Sequence, residues 1–390
     1  MTCIHLTAGA FCLLLFVSTT AGAQTPATGT PARTSDSVVA ISPPAVPLPS
    51  EVASAPVTRF SFISYGDTRG RHDGTQLQAE HMLVIESMLG TIRGLANGPD
   101  AVRFVLQSGD AVLDGREPAQ WNVSYVPLIN RLTTQAGVPY FLAVGNHDVT
   151  GTPDITSPAR LSGLRNYFAA NAKLIPPNDD PRRLNGYPTF AFGFGNSFFI
   201  AFDSDIADDT TQFAWVKGQL ERLDRRRYKN VAIFFHHPPF SSGPHGGANV
   251  ERPASAIRTR YMPLFRRHHV RLLLAGHEHL FEHWVERYQD ASGSHRIDEI
   301  VSGGGGAPLY AYRGEPDLRD YLAAGAAERV SLDHLARPSS DPGANPFHYV
   351  VVHVDGEQIR VEVVAVDWGR GFAPYRSAKA TLDTIPTASR

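Results

Sequence analysis

The sequence predicts an α/β fold, and three observations carry the prediction. Short apolar runs of strand character alternate with stretches of helical spacing, the order that β-α-β units leave in a chain. Five of the apolar runs stop at a compact polar cluster, four of these opened by glycine. The composition, 42% apolar and 19% charged over 390 residues, is that of a chain with a sizeable core, and its 34 Gly and 29 Pro call for many loops.

The chain opens on a separate segment. Residues 1–23 hold an apolar run from Ala10 to Val17, with His5 the one basic group ahead of it, followed by Ala21-Gly22-Ala23. Small residues spaced in this way suit cleavage after Ala23. The run is shorter than the roughly 20 residues a membrane span needs. Residues 1–23 are therefore expected to be an export signal, leaving a periplasmic or extracellular protein with no membrane anchor after cleavage. Both cysteines, Cys3 and Cys12, fall inside this signal, so the cleaved chain can hold a metal only through oxygen and imidazole nitrogen. Residues 24–57 are rich in Pro, Ala, Thr and Ser with almost no charge and are expected to form a flexible, disordered linker.

The regular elements then follow in order. Thr58–Tyr65 reads as a strand that stops at Gly66-Asp67, and residues 76–95 have helical spacing. Ala101–Gln107 is a second strand, ending at Ser108-Gly109-Asp110, and residues 118–135 suit a helix. Val138–Val144 is a third strand, running into Gly145-Asn146-His147-Asp148. After an irregular section, Phe190–Phe194 and Ser197–Phe202 suggest a hairpin around Gly195-Asn196. An amphipathic helix is expected over 212–227, then a strand from Val231 to Phe235 that stops at His236-His237-Pro238. Residues 258–267 are helical in pattern, and Val270–Leu274 leads into Gly276-His277-Glu278-His279. Late strands are expected near Ile297–Val301, His348–Val354 and Ile359–Val366, and residues 371–390 read as a weakly structured tail.

Ligands of α/β sheets sit at the carboxyl ends of strands, so clusters spread over 200 residues of sequence would meet at one edge. Asp oxygen, Asn carbonyl and His nitrogen together suit Zn, Mn or Fe. The six candidates Asp67, Asp110, Asn146, His236, His277 and His279 are too many for one four-coordinate zinc. They fit two ions about 3.5–4 Å apart that share a carboxylate.

The series G-D, G-D, G-N-H-D, H-x-P and G-H-x-H resembles the calcineurin-like metallophosphoesterase family, which includes the purple acid phosphatases, from about Phe60 to Val366. The resemblance implies a four-layer distorted β-sandwich flanked by helices, with residues 58–370 as the catalytic domain. It implies two divalent or trivalent ions (Fe, Zn or Mn), with Asp110 bridging them. Asp67 and His279 would complete the first site, and Asn146, His236 and His277 the second. His147 would meet the leaving group, and Asp148 would orient His147. The implied reaction is hydrolysis of a phosphate monoester or diester by a metal-bridging hydroxide.

Two positions depart from the family pattern. Arg69 stands where many members have His; it stays protonated, cannot ligate, and suits a substrate phosphate. Leu113 stands where purple acid phosphatases have Tyr, which removes the phenolate behind their colour. His245, in the loop that leaves the His236 strand, is either a substrate contact or a mobile loop residue. His237 is read as supporting the site or lying at the surface, and Glu278 as solvated. Gly303 to Gly306 lacks the Lys of a phosphate-binding P-loop and is expected to form a tight turn near the site.

A net charge of −2 recommends no nucleic-acid partner, so a small-molecule phosphoester is the expected one, with the oligomeric state left open. The rival readings are a metal- or phosphate-binding module without turnover, and a nuclease or phosphodiesterase.

Overall fold

Strand β1 (Arg59–Tyr65) shows how the sequence builds the molecule. Side chains alternate across a strand. Phe60 and Phe62 therefore meet Phe194 and Phe199 of a second sheet at 4.9 and 5.3 Å between ring centres, while Tyr65 turns the other way onto His81 of the helix Ala79–Leu95. The computed structural model describes residues 36–70, 75–247 and 250–367, with the backbone of 371–374 and 384–385.

The strands that follow are β2 (Val102–Gln107), β3 (Tyr140–Leu142), β4 (Phe190–Phe194), β5 (Ser197–Ala201), β6 (Asn230–Phe234) and β7 (Leu272–Ala275). Then come β8 (Phe281–Asp290), β9 (Gly293–Ser302), β10 (Ser331–Ala336), β11 (Phe347–Asp355), β12 (Gln358–Asp367), β13 (Gly371–Pro374) and β14 (Thr384–Ile385). The first sheet runs β13-β12-β11-β1-β2-β3, with β14 also on β12. The second runs β10-β8-β9-β7-β6-β5-β4. β1, β2 and β3 are mutually parallel, as are β5, β6, β7 and β9. Parallel strands deliver their following loops to one edge, and this brings the polar clusters together.

Between the sheets lies a seam of phenylalanines. Phe104 packs against Phe62, Phe192 and Phe199 at 5.3, 5.4 and 5.1 Å, and Phe141 stacks on Phe192 at 4.2 Å. Aromatic pairs of this kind add about 0.5–1.5 kcal/mol each beyond the area they bury. The helix Ala79–Leu95 covers the outer face of the first sheet with Val84, Ile85, Met88 and Leu89. On the second sheet, Val216 and Leu220 of the helix Thr210–Glu221, with Tyr261 and Phe265 of the helical stretch 252–267, pack on Phe198, Ile200, Val231 and Ile233. The order helix, sheet, sheet, helix is the four-layer sandwich expected. None of the described helices is long and apolar enough to cross a membrane.

The expected hairpin forms as β4 and β5, turning at Gly195 with φ 59°. Elements that were not expected include the helix Pro158–Ala170, the short helix Arg319–Ala324, and strands β8 and β10. The linker expectation needs correction where it is described. Residues 36–57 lie along the domain: Ile41 is fully buried, and its N–H reaches the Ala170 carbonyl at 2.9 Å. Ala45 and Val46 donate to the carbonyls of Thr133 and Gly137. Glu51 takes a two-pronged bond from Arg182, 2.9 Å on each arm, and another from the Tyr228 hydroxyl at 2.7 Å. Composition alone suggested too little apolar area to order this strap, but backbone bonds, the Glu51 side-chain bonds and the buried Ile41 hold it together. In the expected tail, β13 and β14 pair with β12. The expected signal and both cysteines lie outside the described residues.

Candidate functional site

The loops after β1, β2, β3, β6 and β7 converge, bringing the six expected donors within reach of one another. Close backbone approach makes this possible. A side chain at Gly276 would meet the Asp67 carboxylate at 2.4 Å, and one at Gly145 would meet Asp110 at the same distance. Three of the donors, Asp67, Asp110 and His277, hold left-handed backbone angles (φ 61°, 53° and 69°). Each such pose costs on the order of 1 kcal/mol and persists only where its surroundings enforce it.

One group of donors is very tight. His236 Nδ1 donates to the Ser108 carbonyl at 2.9 Å, which leaves Nε2 as a lone pair. That lone pair faces Asn146 Oδ1 at 2.8 Å and Asp110 Oδ1 at 3.4 Å. His277 Nε2 lies 3.0 Å from Glu251 Oε2 and donates to it, so Nδ1 is also a lone pair. It points at Asn146 Oδ1, 3.2 Å away, and at His236 Nε2, 3.1 Å away. Burial lowers the His236 ring to about 4 and the His277 ring in the same direction, so neither brings a compensating proton at neutral pH. His236 Nε2 thus has three other electron-rich atoms, from Asn146, His277 and Asp110, at 2.8–3.4 Å. Ligands about 2.1 Å from a zinc-like ion stand about 3.0–3.4 Å apart, and the donors fit that shell.

The second group is looser. Asp67 is fully buried, accepts the His277 backbone N–H at 2.9 Å, and lies 3.5 Å from His279 Nε2. The His279 ring donates from Nδ1 to the Pro308 carbonyl at 2.7 Å and stacks on Tyr310 at 4.0 Å, so its free nitrogen also faces the carboxylates. Arg69 reaches into this group, 3.5 Å from both Asp110 Oδ2 and His279 Nε2. Burial and the charge of Asp110 push the Asp67 carboxyl up. Burial would raise Asp110 as well, but His236, His147 and Arg69 together hold it well below the usual range. Asp110 therefore stays ionised between the two groups, as a shared ligand must.

His147 donates from Nδ1 to the Leu113 carbonyl at 2.7 Å, so Nε2 is turned to Asp110 Oδ2, 4.0 Å off, and the ring stays part-exposed at 31%. Asp148 does not hold that ring, contrary to expectation. Its carboxylate accepts the backbone N–H groups of Gly145, Ala111 and Val112, joining the loops after β2 and β3. A Leu113 carbonyl does what Asp148 was expected to do. Glu278 is likewise corrected: it is buried, accepts the His245 N–H at 2.7 Å, and burial raises its carboxyl to about 8. His237 is buried too, 2.8 Å from the Ser204 hydroxyl. His245 sits over the site, its ring 4.5 Å from that of His277. The glycine run packs where expected: a side chain at Gly303 would meet Asp67 at 2.7 Å.

Sequence reasoning missed Glu251 and Tyr310. Glu251 joins His277 to His245, whose Nδ1 lies 2.8 Å from Oε1. A lone Glu in a loop of Gly, Asn and Pro carries no signal that could have found it. Tyr310 closes one wall through its stack on His279.

Comparison with known proteins agrees with this geometry. The family model of the calcineurin-like phosphoesterase matches residues 84–281, about half the chain. Among curated relatives, Probable purple acid phosphatase 20 of Arabidopsis thaliana is 25% identical over 42% of this chain and 36% of its own length. Purple acid phosphatase 22 of the same plant is 22% identical over 54% of this chain and 45% of its own. The chain thus spans less than half the length of these relatives. A solved purple acid phosphatase from yellow lupin (Lupinus luteus) seeds shares the fold, with a TM-score of 0.55 at 16% identity, over 85% of this chain and 55% of that one.

Proposed function

The chain belongs to the calcineurin-like phosphoesterase family, and from that premise we propose that it hydrolyses phosphate esters with the help of two metal ions. Asp110 would be shared, Asn146, His236 and His277 would hold one ion, and Asp67 and His279 the other. The convergence of the His277 lone pair, the Asn146 amide oxygen and the Asp110 carboxylate on His236 Nε2, each within 3.4 Å of it, is the observation that carries the proposal. Two ions of the iron, zinc or manganese class would supply an acidified water and neutralise phosphoryl charge.

The chain's own residues do the rest. Arg69 offers a planar, permanently charged donor to a phosphate drawn toward Asp110. His147, fixed through Nδ1, presents Nε2 to the leaving oxygen and gives it a proton. His245, held by Glu251, faces the incoming ester from the opposite loop. The supporting experiment is elemental analysis of the purified protein followed by a panel of monoesters and diesters, with Asp110→Asn and His147→Ala beside it. Turnover that survives both substitutions sinks the role assignment. Export, read from Ala21-Gly22-Ala23, belongs to the same proposal and is checked by the N-terminal residue of the protein recovered from its natural source.

A second reading, metal or phosphate binding without turnover, draws on Arg69, whose charge already sits 3.5 Å from Asp110 and His279. Two bound ions with no hydrolysis from about pH 5 to 9, the range in which metal-bound water ionises, would favour it.

A further inference from the structure

A second set of metal donors lies at the other end of β7. His277 follows that strand; His269 precedes it, in a turn with φ 50° after the helix Met262–Arg267. Its Nε2 lies 2.7 Å from Asp290 Oδ2, at the tip of the β8–β9 hairpin. His295, at the start of β9, places Nε2 2.9 Å from the other oxygen of the same carboxylate. The two rings lie face to face, 4.2 Å apart and 15° from parallel. The Ser292 hydroxyl donates to Asp290 at 2.6 Å and sits 2.9 Å from His295 Nε2.

We propose that His269, Asp290 and His295 bind a borderline divalent cation, zinc above all, that ties the hairpin tip to the turn before β7. Three features support this. One atom from each residue lies within 4.8 Å of the other two, so a modest closure completes the ligand shell. Two imidazoles and a carboxylate, with no thiolate, select zinc and its neighbours over calcium or magnesium, which favour all-oxygen sites. The donors differ in exposure: the His295 side chain is 7% exposed, while His269 and Asp290 are 39% and 35% exposed. Their openness also leaves room for water to complete the coordination.

One feature limits the affinity. His295 Nδ1 is buried with no hydrogen-bond partner among the described residues. A cation on Nε2 moves the ring proton to Nδ1, where no acceptor meets it, which weakens binding roughly 10- to 100-fold against an ideal site. The site is therefore expected to hold zinc at roughly micromolar strength rather than nanomolar.

The test uses the full chain, stripped with chelator, titrated with zinc chloride alone, and counted by elemental analysis after dialysis against zinc held roughly 50-fold above that expected dissociation constant. Wild type should carry one more zinc per chain than Asp290→Asn or His269→Ala/His295→Ala. That difference stands whatever number the catalytic cluster retains, so failure of the hydrolase reading does not affect it. Circular dichroism checks that each variant is folded. His269→Gln, at an exposed turn position, serves as the variant least able to disturb the core, and it should lose the same ion. Equal zinc counts in wild type and His269→Gln overturn the proposal.

Discussion

The donor groups on either side of Asp110 are built on opposite plans. Around Asn146, His236 and His277, lone pairs crowd together with no positive group between them among the described residues, and Glu251 fixes the outer ring from behind. Around Asp67 and His279, a guanidinium already stands among the donors. The first arrangement demands a cation to relieve it, whereas the second is partly neutralised by Arg69. The two positions should therefore differ in how strongly they retain metal, although one carboxylate serves both.

The comparison can be broken most severely at its centre. Asp110→Asn removes the shared charge, and metal content and kcat/KM should fall together, the latter by at least roughly 10³-fold. Elemental analysis beside aryl phosphate kinetics reads both. His147→Ala leaves the donors intact, so metal content should stay while kcat drops about 10²- to 10³-fold. Loss of metal in that variant would mean His147 belongs among the ligands. Glu251→Gln tests the more crowded side: removing the charge behind His277 should weaken retention of one ion by roughly 10- to 100-fold in a chelator competition, with little change at the other. Arg69→His gives the smallest effect. Its expected signature is a KM about tenfold higher, for want of a charged phosphate contact, together with slower metal loss from the Asp67 side. A KM that does not move would remove Arg69 from substrate binding.

The sequence displayed the site better than its supports. Gly-Asp, Gly-Asn-His-Asp and Gly-His-x-His sit at strand ends because tight turns and ligand chemistry constrain the same few residues, so the local pattern reports a distant meeting. Supports carry no such pattern. Glu251 acts through two histidines in other segments. The orienting group for His147 is a backbone carbonyl that any residue at 113 would supply. Asp148 is placed beside His147 by sequence, yet its oxygens serve backbone N–H groups. Among the elements, β8 was hidden because its buried residues, on both faces, include Glu282, His283 and Glu286, which spoil the apolar pattern. The helix Pro158–Ala170 was hidden because its buried face carries Arg160 and Gly163. Where burial selects Phe or Val, periodicity is legible; where an ion pair or close backbone contact fills the same place, it is not.

The strap of residues 36–57 has a consequence for the order in which the protein is completed. It leaves the ribosome early, yet the Arg182 and Tyr228 groups that seize Glu51 are encoded 131 and 177 residues later. At about 5–20 residues per second of synthesis, the strap waits roughly 7 to 35 s for those partners. Its docking is thus a late closing step. A synthetic peptide of the same sequence, supplied during refolding, would compete for the seats of Ile41 and Glu51.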